Sequence, residues 1–438
     1  MKIRLVTQWY PPEPAGVPAG LAHGLASRGH SVDVLTGFPN YPTGRLHPGY
    51  PLRPYRHDVD DTGPGQIDVH RAPLYPSHDT NAFSRLANYG SFALSSTVVS
   101  ATRLARADVW LTYSSPATAT LPALVSGGID SLRKRLGMAT EPSAHAQIIQ
   151  DLWPDSVMDS GFVGHPQLAQ LMQDSLDRFC RYGYRHSDAI GVISPGMRTV
   201  LRQRGVPDEL IVDTPNWVST PRGAFLPEEQ KRAERARLRL PLAGRLFMYA
   251  GNLGELQALP LLIDGFAAVP DAQLVLLGPG VMTERIAARI AAQRLSNVTL
   301  VPAQPPEKVA DYLSAADVLV VSLADTPLLR VTMPSKVAGS LAAARPLLGH
   351  ACGDSAEVIA AAGAGLVAAP GDAVALVAAI REMTSWSEEE LHRRGESARS
   401  WYEENLGENR CIDGHEKLVE LALQNAQNRR KTNRSNYP

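Results

Sequence analysis

Cysteine is scarce. Cys180, Cys352 and Cys411 lie far apart in a chain of 438 residues, and their number is odd. They form no disulfide framework and have no metal-ligand spacing, so they read as reduced thiols. Long apolar runs are also missing. None approaches the roughly 18 residues that cross a bilayer, and the opening MKIRLVT reads as a strand rather than an apolar leader. A cytoplasmic protein is therefore expected. Charge of one sign is lacking too: the formal net charge is -1 with 20% charged residues. No global field draws such a protein toward nucleic acid. No Ser-His-Asp or paired-carboxylate pattern stands out. His23, His30 and His47 are isolated, as structural or solvated histidines usually are.

What is present is a rhythm. The length exceeds what one core usually organises, so two domains of about 200 residues are the default. KIRLVT, SVDVLTG, DVWLTY, AQIIQDL and AIGVIS read as strands of the first half, with helices near 16–28, 82–106, 117–137, 166–187 and 196–204. RLFMYAGN, AQLVLLGP, NVTLVPA, DVLVVSL, RPLLGH and GAGLVAA continue it, with helices near 258–268, 281–294, 306–316, 335–344, 354–362 and 372–383. Strand-helix alternation implies βα units around parallel sheets. Uniformly apolar strands imply burial on both faces.

The hinge between halves is placed near Asn216, in the Pro/Gly-rich TPNWVSTPRGAF (214–225). A second crossing is expected near 398–405, before a last helix at 409–425. The basic tail NRRKTNRSNYP reads as a disordered end. The Pro/Gly-rich segment 36–80 follows the second strand and reads as one long loop. Loops beyond strand carboxyl ends shape ligand pockets in open α/β sheets.

Two motifs carry chemistry. YAGNLGELQAL (249–259) is a strand, a glycine turn and a helix start. Such a turn lets an anion approach backbone N–H groups. It is no Walker loop and no G-x-G-x-x-G; alone, it fits a plain βα turn equally well. TMPSKVAGSLAAARPLLG (332–349) is a turn, a helix of small residues and a strand. Lys336 sits at the helix start, where a cation gains nothing from the helix dipole. An anion at that point explains it, and a surface lysine is the plainer reading. With the 251–255 turn, the pair points to a diphosphate between two helix starts. Small residues at Ala338, Gly339, Ser340, Ala342, Ala343 and Ala344 let that helix approach the sheet and a ligand closely.

QWYPPEPAG, RGHSVDVLTGFPNYPTG, QDLWPDS, SDAIGVIS, TPNWV, YAGNLGELQAL, SAADVLVVSL, MPSKV, LAAARP and CGDSAEVI occur in this order along nearly the whole chain. In them the chain resembles the retaining glycosyltransferases of family 4, and within these the bacterial L-fucosamine-transferase-like branch of polysaccharide assembly. The resemblance implies the α/β GT-B fold: two doubly wound Rossmann-like domains facing across a cleft. The expected division is 1–215 for the acceptor, 216–400 for the nucleotide-sugar, and 401–438 as a helix returning to the first domain before the basic tail.

The resemblance also implies roles. Gly251, Asn252, Gly254 and Glu255 would line the diphosphate, with Pro334, Ser335 and Lys336 meeting the phosphates. Gly278, Pro302 and Ala303 would face the base, and Glu357 would lie near the donor. Gly16, Asn40, Tyr41, Asp151 and Trp153 would stand beside the sugar and acceptor. Lys336, Asp151 and Glu357 are the catalytic candidates. No cofactor and no metal are expected, and domain closure would exclude water. The donor would be nucleotide-linked, usually through UDP. The acceptor would be a lipid-linked saccharide or a natural product. SLRKRLGM (131–138) reads as a solvated helix end, and contact with the inner face of a membrane is its alternative, since acceptors in this branch are often lipid-linked.

The chain departs from the family in one place. Val331 and Gly339 stand where the family commonly has two glutamates, the later of which binds ribose. Each charge-assisted bond so lost is worth about 1.5–3 kcal/mol. Asp325, Asp354 and Ser340 are candidate substitutes, and Gln257 replaces a frequent lysine. The loss keeps two other functions open: a sugar-nucleotide 2-epimerase-like isomerase, and a non-catalytic partner of the same fold.

Overall fold

Strand residues with apolar side chains on both faces must be covered on both sides, and the chain satisfies them in two sheets. The computed structural model describes all residues except 78–81, 137, 139–142, 159–165, 219–225 and 436–438. It divides into one unit of Met1–Pro215 with Cys411–Pro438, and a second of Asn216–Arg410.

The first unit holds β1 (Lys2–Val6), β2 (Ser31–Gly37), β3 (Arg56–Asp60), β4 (Ile67–Ala72), β5 (Val109–Ser114), β6 (Ala144–Ile149), β7 (Ala189–Val192) and β8 (Ile211–Asp213). Their order is β3-β4-β2-β1-β5-β6-β7-β8. All neighbours are parallel except the β3/β4 hairpin. That hairpin corrects the reading of 36–80 as one loop. RHDVD carries charge on alternate positions, as suits an exposed edge, and so lacks the apolar run that marks the inner strands.

The second unit holds β9 (Arg245–Ala250), β10 (Ala272–Leu277), β11 (Val298–Val301), β12 (Val318–Ser322), β13 (Leu347–His350) and β14 (Gly365–Ala368). Their order, β11-β10-β9-β12-β13-β14, is parallel throughout. Phe247, Phe266, Leu274, Val320 and Ile380 belong to the core on one face; Met248, Val275, Leu319 and Ala343 to that on the other. In each unit the strand order reverses beside the first strand, at β1/β5 and at β9/β12. Ligands of such sheets bind beyond the strand carboxyl ends at that reversal.

The carboxyl-terminal segment differs from expectation. The helix Glu388–Leu406 packs Ala398, Tyr402 and Leu406 into the second unit, so 401–410 stays there. The last helix, Glu408–Ser435, extends through most of the tail that reads as disordered. In the first unit, Asp413 and Glu416 pair with Arg28, and Asn425 donates to the Asp188 carbonyl. Part of the hinge sequence (219–225) and parts of the 131–138 stretch lie outside the described residues. Among the described residues, no helix is long and apolar enough to cross a membrane.

Candidate functional site

β9 ends at Ala250, and the chain must turn sharply to enter the next helix. Gly251 takes φ +147°, a region L side chains rarely enter. A Cβ on Gly251 would sit 3.7 Å from Lys336 Nζ and 3.8 Å from Tyr249 Oη. The glycine turn and Lys336, far apart in sequence, thus meet at the β9/β12 reversal. Gly278, at the end of β10, has φ +142°, and a Cβ there would overlap the Gly251 carbonyl. The turns after β9 and β10 are therefore stacked backbone on backbone. Gly254 precedes the short 3-10 turn Glu255–Gln257. Asn252 and Glu255 are exposed, as are Pro302 and Ala303 after β11.

Lys336 lies in the first turn of the helix Ser335–Ala342. Pro334 is its N-cap, Ser335 its first residue, and no side chain caps it. The ammonium donates to Tyr249 Oη at 2.6 Å and to Gln257 Oε1, and lies 4.5 Å from the Tyr249 ring centre. Both partners are neutral. Among the described residues no carboxylate pairs with Lys336. Burial without a counter-charge lowers it to about 8. Tyr249 is fully buried and its hydroxyl donates to the Asn252 carbonyl at 2.7 Å. Gln257 is anchored through its own carbonyl, which accepts from Ser322 Oγ at 2.7 Å; Ser322 in turn meets His350 Nδ1 at 2.9 Å. Burial pulls His350 down to about 4, so it is neutral in ordinary buffers.

A half-buried, uncompensated cation beside a glycine turn at positive φ is an arrangement that suits an anion. The same surroundings bear on the other candidates. Asp325 is held by Arg330 through two hydrogen bonds of 2.5 and 2.7 Å, and Asp354 is buried. Glu357 is exposed on the helix Asp354–Ala361, and no described contact joins it to Lys336. Ser340 is half-buried in the Lys336 helix.

In the first unit the loops after β1 and β2 converge on Glu13, a residue that no sequence motif singles out. Its buried carboxylate accepts from the N–H groups of Asn40 and Tyr41, both at 2.8 Å, and of Tyr10 at 3.2 Å. Burial outweighs these bonds and raises it. Asn40 is buried, and its amide also donates to the Phe38 carbonyl at 3.0 Å. Tyr41 packs 5.6 Å from Trp9. Gly16 opens the first helix with no atom within 4 Å of where a Cβ would lie. Asp151, after β6, is exposed as a residue and accepts from Ser115 Oγ at 2.7 Å, and the protein packed around its carboxyl raises it. Trp153 is buried against Tyr89, 5.9 Å away, and its carbonyl accepts from Arg204. It supports the loop rather than presenting a surface.

The chain is similar to known proteins. Residues 16–217 match the family model of a glycosyl transferase 4-like domain, and residues 244–385 that of glycosyl transferases group 1. WcaI of Escherichia coli (strain K12), described as a putative colanic acid biosynthesis glycosyl transferase, is 27% identical over 324 residues, spanning 72% of this chain and 75% of that protein. Sucrose-phosphate synthase from Thermosynechococcus elongatus superposes with a TM-score of 0.62 at 19% identity, covering 99% of both chains. HepE of Anabaena, solved in complex with UDP, gives 0.61 at 13% identity, covering 98% of this chain and 100% of that one.

Proposed function

We propose a reaction on the following ground: the chain belongs to the GT-B glycosyltransferases. It moves a sugar from a nucleotide diphosphate-sugar, UDP-linked, to a hydroxyl of a lipid-linked saccharide or a natural product. HepE was solved with UDP and with UDP-glucose, which supports the choice of nucleotide. WcaI, by its description, serves a polysaccharide, which supports a saccharide acceptor. Both matching family models describe transferases, so an isomerase has no comparable support.

One observation carries the reading: Lys336 Nζ and the 251–254 turn lie together at a sheet reversal, and the ammonium has only neutral partners. Breaking the bond between the anomeric carbon and the phosphate leaves negative charge on the diphosphate. The sugar becomes oxocarbenium-like. Donors aimed at the leaving group stabilise that state, and here they are the ammonium and the N–H groups of Asn252 and Gly254, those of Gly251 and Leu253 being taken by the Leu277 and Pro279 carbonyls. The acceptor attacks from the face the phosphate leaves, and the phosphate takes its proton. Configuration is then retained without an enzymic nucleophile. Asp151, beyond β6 in the first unit, is assigned to the acceptor side.

Calorimetric titration with UDP, GDP and dTDP tests the site, and a mass-spectrometric screen of sugar nucleotides for acceptor-independent hydrolysis tests the chemistry. UDP binding and release of free sugar from a UDP-sugar are expected. No binding of any nucleotide refutes the reading and favours a non-catalytic protein.

A further inference from the structure

A phenol on an inner strand looks like core. Tyr249 has no exposed surface, and its ring belongs to the cluster around Phe247, Leu262 and Phe266. Its hydroxyl, though, leaves that core at the carboxyl end of β9 and meets three groups. It accepts from Lys336 at 2.6 Å, donates to the Asn252 carbonyl at 2.7 Å, and lies 3.0 Å from Gln257 Oε1. A hydroxyl has one proton. Gln257 Oε1 has two lone pairs and one takes the Lys336 donation; of the two acceptors in reach of the phenol, the Asn252 carbonyl is the nearer, 2.7 against 3.0 Å, and takes the Tyr249 proton. We propose that Tyr249 is a positioning residue: its hydroxyl ties the Lys336 ammonium to the main chain of the glycine turn, so that cation and amides meet one diphosphate as a rigid pair.

The inference rests on Lys336 being the phosphate contact. The physical reason is freedom. A lysine stem has four rotatable bonds, and holding its head in one place costs rotamer entropy. A carboxylate would hold the ammonium but would cancel its charge. A phenol and an amide hold it and leave the charge available. Tyr249 suits this because burial raises its hydroxyl far above neutral pH, so it stays a donor to Asn252. The ring adds a face under the ammonium at 4.5 Å. Among the described residues, Tyr249 is the one titratable group that touches Lys336. Beyond it come Gln257 and Ser322, which are neutral, and His350, also neutral above about 4.

The test is UDP titration by calorimetry from pH 6 to 9.5 on wild type, Tyr249→Phe, Gln257→Leu and Lys336→Ala. Phe keeps the ring and the packing and removes only the hydroxyl. Y249F is expected to weaken UDP about 10–100-fold, the scale of one hydrogen bond to a charged group. It is also expected to move the alkaline loss of affinity down by about one pH unit, because a buried ammonium short of an acceptor gives up its proton more readily. Q257L, which keeps the contact from Lys336 to Tyr249 and on to Asn252, is expected to bind more tightly than Y249F. The inference is overturned if K336A loses UDP while Y249F keeps wild-type affinity and midpoint. It is equally overturned if Y249F weakens binding with the midpoint unmoved and a lowered melting temperature, or if Q257L is the weaker binder. If K336A itself binds like wild type, the phosphate reading falls instead.

Discussion

Gln257→Glu is the sharpest perturbation of the site, because it changes charge and almost nothing in shape. The amide oxygen of Gln257 already accepts from Lys336. A carboxylate oxygen would stand in its place, and a buried ammonium gains an ion partner. Two unit charges about 4 Å apart interact by about 4 kcal/mol at an effective dielectric of ~20. An opposite charge at that range moves an ionisation by roughly 1–3 units. Lys336 would therefore rise from about 8 and remain charged through alkaline buffers. Yet that charge would be neutralised by the introduced carboxylate, which also repels a diphosphate at similar range. The net expectation is a loss of UDP affinity of about 10²–10³, with the melting temperature unchanged or raised. Calorimetry and a thermal melt on the same sample decide it. Tight UDP binding by a folded Q257E would refute the claim that a neutral partner keeps Lys336 available.

The remaining expectations are simpler. Lys336→Ala lowers turnover by about 10²–10³, the scale for one preorganised donor, measured as sugar release from the donor. Lys336 is charged below about 8 and neutral above it, so wild-type UDP affinity holds near pH 6–7 and falls as pH rises through that value; an affinity flat to pH 9.5 contradicts it. Gly278→Ala combines a forbidden φ with an overlap against main chain and is expected to lose on the order of 2–4 kcal/mol of stability in denaturant unfolding. Asp151→Asn keeps the Ser115 contact and leaves UDP binding intact, while transfer to acceptor falls by about 10², the scale of a lost positioning contact; equal transfer rates would make Asp151 structural.

The inner strands are legible because burial on both faces leaves a mark in sequence. RLFMYA and VLVVS are apolar but for Arg245 at the start of one and Ser322 at the end of the other. The edge strand is not, since RHDVD alternates exposed His57 and Val59 with partly buried charges and shares the composition of a loop. Lys336 is legible by contradiction: a cation at a helix start needs a reason. Its neighbours are not. Tyr249 reads as one more core aromatic, and only the strand order brings its hydroxyl to a residue 87 positions away. Glu13 is hidden in PPEPAG because its partners are backbone N–H groups, which no side-chain pattern announces. The signal is there in principle: an acidic residue between two prolines in a loop has few other uses.

The stacked turns at Gly251 and Gly278 have an evolutionary corollary. Where peptide groups rather than side chains form a wall, point substitution has little to vary, and the wall changes only by breaking. Descendants of this sequence that come to accept a different donor should therefore keep both glycines and alter residues on roomier loops, such as Pro302–Ala303, where the chain is exposed. On the proposed reading, the backbone wall beside the pyrophosphate would be the inherited constant, and preference for the rest of the donor the part left free to drift.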